Sequence, residues 1–389
     1  TDPTCGLNPA NRDAAISTLD FFHQIKRYQD PATGADKSFM LGDIFHSDPV
    51  VLGNPDSFRY WTADVGGSGT LPLEDPCATS PNGYRCYFDK QQLRRKMVIL
   101  GSNSGQLHAF DAGIWRGFNG NGCENSTIPG QQILQGEFDA GTGRELFSYV
   151  PRISLPGQKD LRLIGDHSFT IDGRVSHGDV FIDPVHDGIP TVNDREWRSV
   201  FIGGMREGGK GYFAIDYTQP DTLDVCNGRP VIPEPATGAR NWVPSCLDGG
   251  AGCGTAPFAT PLWEFEDNTD CGIQLADGYC DDDANGIADI GDSWSAPVIG
   301  RILVLANDGT TFEDLHVAIF GGGMDPDRKG MADAEGNHLY MVDIETGRKI
   351  YKRPVEGSIP MEVAAVDTDQ NGYFDTIYFG TTLGLSLIH

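Results

Sequence analysis

The sequence predicts an all-β fold, a β-propeller, on three observations. A hairpin unit recurs at 97–113 (MVILGSNSGQLHAFDAG), 199–218, 315–352 and 376–389, each an apolar run, a Gly-rich polar turn and a second apolar run. The first three units then end on an apolar-x-Asp step, at Asp111, Asp216 and Asp343. Gly (50 residues) and Pro (24 residues) punctuate short apolar runs throughout, as turns between strands require. A lone hairpin cannot bury both faces. Radial stacking of such units buries them and leaves only short edges, and the repeated Asp ending argues for blades over a plain β-sandwich.

In chain order, residues 1–40 read as a lead-in with one helix. There NRDAAISTLDFFHQIKRY sets Ala15, Ile16, Leu19, Phe22 and Ile25 at helical spacing. Residues 41–389 read as the propeller domain, interrupted by insertions at 71–90, 114–136 and 221–280. Two stretches fit D-x-x-T-G-x-x-x-aromatic: Asp139, Thr142, Gly143 and Phe147, then Asp343, Thr346, Gly347 and Tyr351. This pattern resembles the blade motif of quinoprotein-like propellers and implies a structural staple between blades, not catalysis. The chain stops on LGLSLIH in mid-strand, so a C-terminally truncated piece of a longer protein is expected, which leaves room for an export signal elsewhere.

Composition excludes several functions. The formal net charge is −26, from 29 basic and 55 acidic residues. Such a chain repels phosphate backbones and anionic lipid but attracts divalent cations, so nucleic acid is not an expected partner. No apolar run is long enough to cross a membrane as a helix. The nine Cys form no C-x-x-C pair and fall in the turn-rich insertions, which points to disulfides and an oxidising compartment. Cys77 with Cys86 and Cys271 with Cys280 each enclose a short turn-rich segment and are the expected pairs. The odd count leaves one thiol without an internal mate.

The most informative stretches are two acidic turns. In DTDQNGYFD, Asp367, Asp369, Asn371 and Asp375 fall at positions 1, 3, 5 and 9, Gly372 at the sixth, and Tyr373 at the seventh, where a main-chain carbonyl serves as ligand. In DDDANGIAD, Asp281, Asp283, Asn285, Gly286, Ile287 and Asp289 fill the same slots, and Asp292 follows at position 12 as a further carboxylate. Hard oxygens in this order are the ligand spacing of an EF-hand-like Ca2+ loop. The alternative is a pair of solvated Asx-rich turns. Two matches in one chain favour the cation.

Other constellations are weak. There is no G-x-S-x-G elbow, no H-E-x-x-H helix, and GGMREGGKG lacks the ending of a phosphate loop. His46, His108, His167, His177, His316 and His338 border apolar runs and read as core or turn residues. A quinoprotein-type (PQQ) dehydrogenase would need a vicinal Cys pair or an equivalent quinone-stacking site, and the chain has no Cys-Cys.

Taken together, LGDIFHSDPVVLG (41–53), VILGSNSGQLHAFDAG (98–113), HSFTIDGRVSHGDVFI (167–182), VFIGGMREGGKGYFAIDYT (200–218), GDSWSAPVIGRI (291–302) and VDTDQNGYFDTIYFG (366–380) resemble the C-terminal domain of the PilY family. These are tip-associated adhesin and biogenesis proteins of bacterial type IV pili. The resemblance implies a modified seven-bladed β-propeller without enzymatic activity. It implies a calcium loop, falling here on Asp367, Asp369, Asn371, Tyr373 and Asp375, whose occupancy controls pilus extension and retraction. It also implies export to the cell surface, minor pilins at the pilus tip as partners, twitching motility, and adhesion to host or abiotic surfaces. The chain departs from some members in holding no Arg-Gly-Asp.

Overall fold

The computed structural model describes residues 27–29, 36–38, 42–67, 76–92, 94–113, 115–117, 136–155, 167–183, 195–218, 259–305, 309–384 and 386–388. After a short pair, β1 (Arg27–Gln29) and β2 (Asp36–Ser38), the strands fall into successive antiparallel sheets. The first holds β3 (Val50–Leu52), β4 (Lys96–Ser102), β5 (Gln106–Gly113) and, beyond the small β6 (Trp115–Gly117) and β7 (Gly136–Phe138) pair, β8 (Glu145–Tyr149). The second holds β9 (Val175–Ile182), β10 (Glu196–Gly204), β11 (Tyr212–Asp216) and β12 (Thr260–Phe265). The third holds β13 (Val298–Leu305), β14 (Phe312–Gly321), β15 (His338–Asp343) and β16 (Lys349–Pro354). The fourth is β17 (Ala364–Val366), β18 (Thr376–Gly380) and β19 (Ser386–Ile388). Each is a meander of neighbours in sequence, as a propeller blade is.

The core shows why the sheets stack. Side chains alternate across a strand, and here both sides are apolar and both are used. On β10, Phe201 packs toward the first sheet with Met97, Ile99 and Leu107, while Val200 and Ile202 pack toward the third with Ala318 and Phe320. On β14, Ala318 and Phe320 face the second sheet, whereas Val317 and Ile319 face Ile377 and Phe379 of the fourth. Each inner sheet is therefore glued to one before and one after it. Fully buried side chains of this size each contribute about 1.5–3 kcal/mol.

The apolar-x-Asp endings close the blades. Asp343 Oδ2 accepts from Thr346 Oγ1 (2.6 Å), and the Gly347 N–H returns to the Asp343 carbonyl (2.8 Å). Gly347 sits at φ 71°, and a Cβ there would come within 2.6 Å of Trp263 in the preceding sheet, so the turn needs glycine. The first sheet repeats the arrangement with a different carboxylate from the one expected. Thr142 donates through Oγ1 (2.7 Å) and N–H (2.9 Å) to Asp111 Oδ2, and Gly143 returns to the Asp111 carbonyl (3.1 Å). Asp139 caps the Gly141 N–H. The 114–136 insertion splits the motif, placing Asp111 beside Thr142.

Both expected disulfides are present, Cys77–Cys86 and Cys271–Cys280, with Cα–Cα separations of 4.6 and 5.3 Å. The other five Cys and most of the predicted N-terminal helix lie outside the described residues; its end, Arg27 and Tyr28, is strand. The structure corrects the expectation of a single early helix. Helices Phe58–Ala63, Pro76–Thr79 and Tyr84–Gln91 precede β4. They are too short for an apolar period to register, and the first starts from a Ser57 cap. No described helix is long and apolar enough to cross a membrane.

Candidate metal centre

The two acidic turns fold alike, hydrogen bond for hydrogen bond. In the upstream loop, 281–289, Asp281 takes the Asn285 N–H on Oδ1 (2.9 Å) and the Gly286 N–H on Oδ2 (2.9 Å). In the downstream loop, 367–375, Asp367 takes the Asn371 N–H (3.1 Å) and the Gly372 N–H (2.7 Å) the same way. Asn285 Nδ2 donates to Asp283 Oδ2, and Asn371 Nδ2 to Asp369 Oδ2, both at 3.0 Å. The Ile287 and Tyr373 N–H groups donate to the preceding Asn Oδ1 at 2.8 and 2.9 Å. The ninth residue closes each loop. Its N–H reaches the carbonyl before the loop (Asp289 to Cys280, 2.9 Å; Asp375 to Val366, 3.0 Å), and its Oδ2 accepts from the second residue, Asp282 or Thr368.

This path demands left-handed backbone twice. Gly286 and Gly372 lie at φ 83° and 97°, which glycine adopts without strain. Ala284 and Gln370, two residues earlier, lie at φ 60° and 61°. A non-glycine residue is seldom found there, so the same departure at the same position marks one loop design used twice.

The design gathers carboxylates. Asp281, Asp283 and Asp289 bring one oxygen each within 4.8 Å of one another, and Asp367, Asp369 and Asp375 do the same. Asp292 does not join them. Its backbone pairs with Met324, and its carboxyl feels the charges of Lys210, Glu335, Glu207 and Asp325.

The loops differ in their counter-charge. Burial raises the Asp283 and Asp289 carboxyls above the usual range, the latter despite Lys352. The Lys352 ammonium, only 8 % exposed, holds Asp289 Oδ2, Asp282 Oδ2 (2.6 Å) and Asp267 Oδ2 (2.8 Å). Asp289 Oδ1 is buried and accepts no hydrogen bond among the described residues. His338 Nδ1, 3.5 Å from it, is engaged with Asn337 Oδ1 (2.7 Å), and burial lowers its pKa to about 4. An orphaned carboxylate oxygen beside two others fits a hard cation.

Downstream, the balance runs the other way. Desolvation pushes the Asp367 carboxyl up, but the Gly372 N–H, the Arg59 charge and the Asn371 N–H outweigh it and hold the pKa low. Asp375 is held low by Thr376 Oγ1 and Thr368. Arg59 Nη1 lies 2.9 Å from Asp367 Oδ2. Arg301 covers the Tyr373 ring at 4.5 Å and donates to its hydroxyl at 3.0 Å. Sequence reasoning missed Arg59 and Lys352. A lysine within the strand KIYKRP was a weak signal for the second, and nothing near Arg59 points three hundred residues ahead.

No protein-family model matches the chain. Curated proteins do. A type IV pilus biogenesis factor PilY1 homologue of Xylella fastidiosa is 28% identical over 190 residues, 48% of this chain and 11% of the relative. Another match of that description and organism is 26% identical over 381 residues, 88% of this chain and 21% of the relative. Type IV pilus biogenesis factor PilY1 of Pseudomonas aeruginosa is 25% identical over 191 residues, 48% of this chain and 12% of the relative. The chain thus spans no more than 21% of the length of these relatives. Among solved structures, the Pseudomonas aeruginosa PilY1 C-terminal domain aligns at TM-score 0.42 and 19% identity, over 85% of this chain and 43% of that one. By these sequence matches, the chain is a relative of the PilY1 type IV pilus biogenesis factors.

Proposed function

We infer that the chain is a calcium-binding propeller module of an exported type IV pilus tip-associated protein, one that assembles with minor pilins and supports pilus extension and retraction, twitching and surface adhesion without catalysing a reaction. The observation behind this reading is the twice-built loop, in a chain related to pilus biogenesis factors. Asp281, Asp283, Asn285 and Asp289, with the Ile287 carbonyl, are the proposed ligands upstream. Asp367, Asp369, Asn371 and Asp375, with the Tyr373 carbonyl, are those downstream.

Calcium supplies two positive charges and tolerates the mixed carboxylate, amide and carbonyl donors these loops offer. The chain's own residues do the rest. Asp375 closes the loop through Thr368 and immediately precedes β18. Neutralising the three carboxylates removes their mutual repulsion at the entry to that strand, so cation binding orders a blade edge. A partner that docks on the ordered edge then senses calcium.

The test is Asp375→Ala in cells and in vitro. It should abolish calcium binding at the downstream loop and calcium-dependent piliation and twitching, with the other sheets still folded. Wild-type piliation and twitching despite lost binding would reduce the loop to a structural staple.

A further inference from the structure

We propose that Arg59 is the resident counter-cation of the downstream loop, so that calcium loads this loop only by expelling the Arg59 side chain, whereas Lys352 stays in place when the upstream loop loads. The inference rests on the calcium reading above and adds the regulation of its two sites.

Geometry separates the two cations. Arg59 Nη1 meets Asp367 Oδ2, an oxygen of the first-position carboxylate that the loop gathers with Asp369 and Asp375. A guanidinium at that carboxylate and a divalent ion among the three compete for the same negative charge. The Asp367 side chain is enclosed, but the Arg59 side chain is 47% exposed, so it can swing into water without opening the core. Its helix need not move. Tyr60 anchors it, with ring centroids 5.2 Å from Trp197, 5.6 Å from Tyr84 and 5.9 Å from His316.

Lys352 is the opposite case. Its ammonium is buried among Asp267, Asp282 and Asp289, so withdrawing it would break three ion pairs at once and strand Asp289. It grips Asp289 Oδ2, while the orphaned oxygen is Oδ1. Lys352 therefore supports the ninth-position ligand from behind and leaves the other oxygen for the ion. The upstream loop is then a constitutive site and the downstream loop an exchangeable one whose affinity its own chain weakens. Coupling is reciprocal: a partner that draws Arg59 away tightens calcium at the downstream loop, and calcium there frees Arg59.

The experiment is calorimetric calcium titration of the metal-stripped chain in an Asp283→Asn background, which leaves the downstream loop to report. Arg59→Gln should bind calcium about twofold to fivefold more tightly than its parent, the range of a half-exposed ion pair. Arg59→Lys should fall between the two, and circular dichroism should match throughout. In the complementary Asp369→Asn background, Lys352→Met should weaken, not tighten, calcium at the upstream loop. Equal or weaker affinity in Arg59→Gln would overturn the proposal while leaving calcium binding intact. Absence of calcium heat in the unmutated chain would overturn both readings.

Discussion

Replacing Lys352 by methionine keeps the length of the side chain and removes its charge from a buried carboxylate cluster. The structure apportions the damage. Asp267 keeps Lys349 on Oδ1 (2.6 Å) and the Tyr340 hydroxyl on Oδ2 (2.7 Å). Asp282 keeps the Gly272 N–H (2.6 Å) and is partly solvated, with 31% of its side chain exposed. Asp289 is left with the Asp282 N–H on Oδ2 and nothing on Oδ1. Stranding one partner of a buried pair costs roughly 3–5 kcal/mol. Because only one of three carboxylates is stranded, the lower end applies, about 3 kcal/mol. Urea denaturation at pH 7 in EGTA should read that loss. It should shrink as the pH is lowered, because burial raises the Asp289 pKa and the carboxyl takes its proton earlier than an ordinary aspartate does. Saturating calcium should enlarge it, since a variant that binds the ion more weakly is stabilised less by it. A loss below about 1 kcal/mol at pH 7, the value of a surface pair, or a loss indifferent to calcium, would refute the account of this cluster.

Two further outcomes follow from packing and titration. Phe320, fully buried between the second and third sheets with centroids 4.1 Å from Tyr212 and 5.6 Å from Tyr340, should cost about 3–5 kcal/mol as Phe320→Ala by urea denaturation, and a loss under 1 kcal/mol would mean the sheets are not glued there. His316 is held neutral by burial, helped by Arg301 and Arg195, with a pKa well below its ordinary value. Below pH 6.5 the unfolded chain binds a proton that the native chain refuses, so stability should fall from pH 7 toward 5 by up to about 1.4 kcal/mol per unit. His316→Asn, which keeps an acceptor for the Phe181 N–H, should flatten that slope, and an unchanged slope would assign the proton elsewhere.

The blades were legible because each is local: a hairpin writes its apolar runs, its Gly turn and its closing Asp within a few tens of residues. The loops were legible for the same reason, since their ligands lie within nine positions. What failed was non-local or short. Asp139 matched the staple motif by spacing, but the insertion had handed the role to Asp111. Asp292 matched a ligand position by count, but its carboxylate is not gathered with those of Asp281, Asp283 and Asp289. The helix Phe58–Ala63 is too brief to show a period. Arg59 with Asp367, and Lys352 with Asp289, meet only because the sheets stack, and no spacing rule encodes that.

Both acidic turns are proposed to be calcium loops. Calorimetric titration of the metal-stripped chain tests this most directly, with Asp283→Asn, Asp369→Asn and their combination alongside. Two binding events are expected in the unmutated chain, one in each single variant, none in the double variant, and little competition from magnesium. Heat that survives in the double variant, or no calcium heat in the unmutated chain, would contradict the proposal.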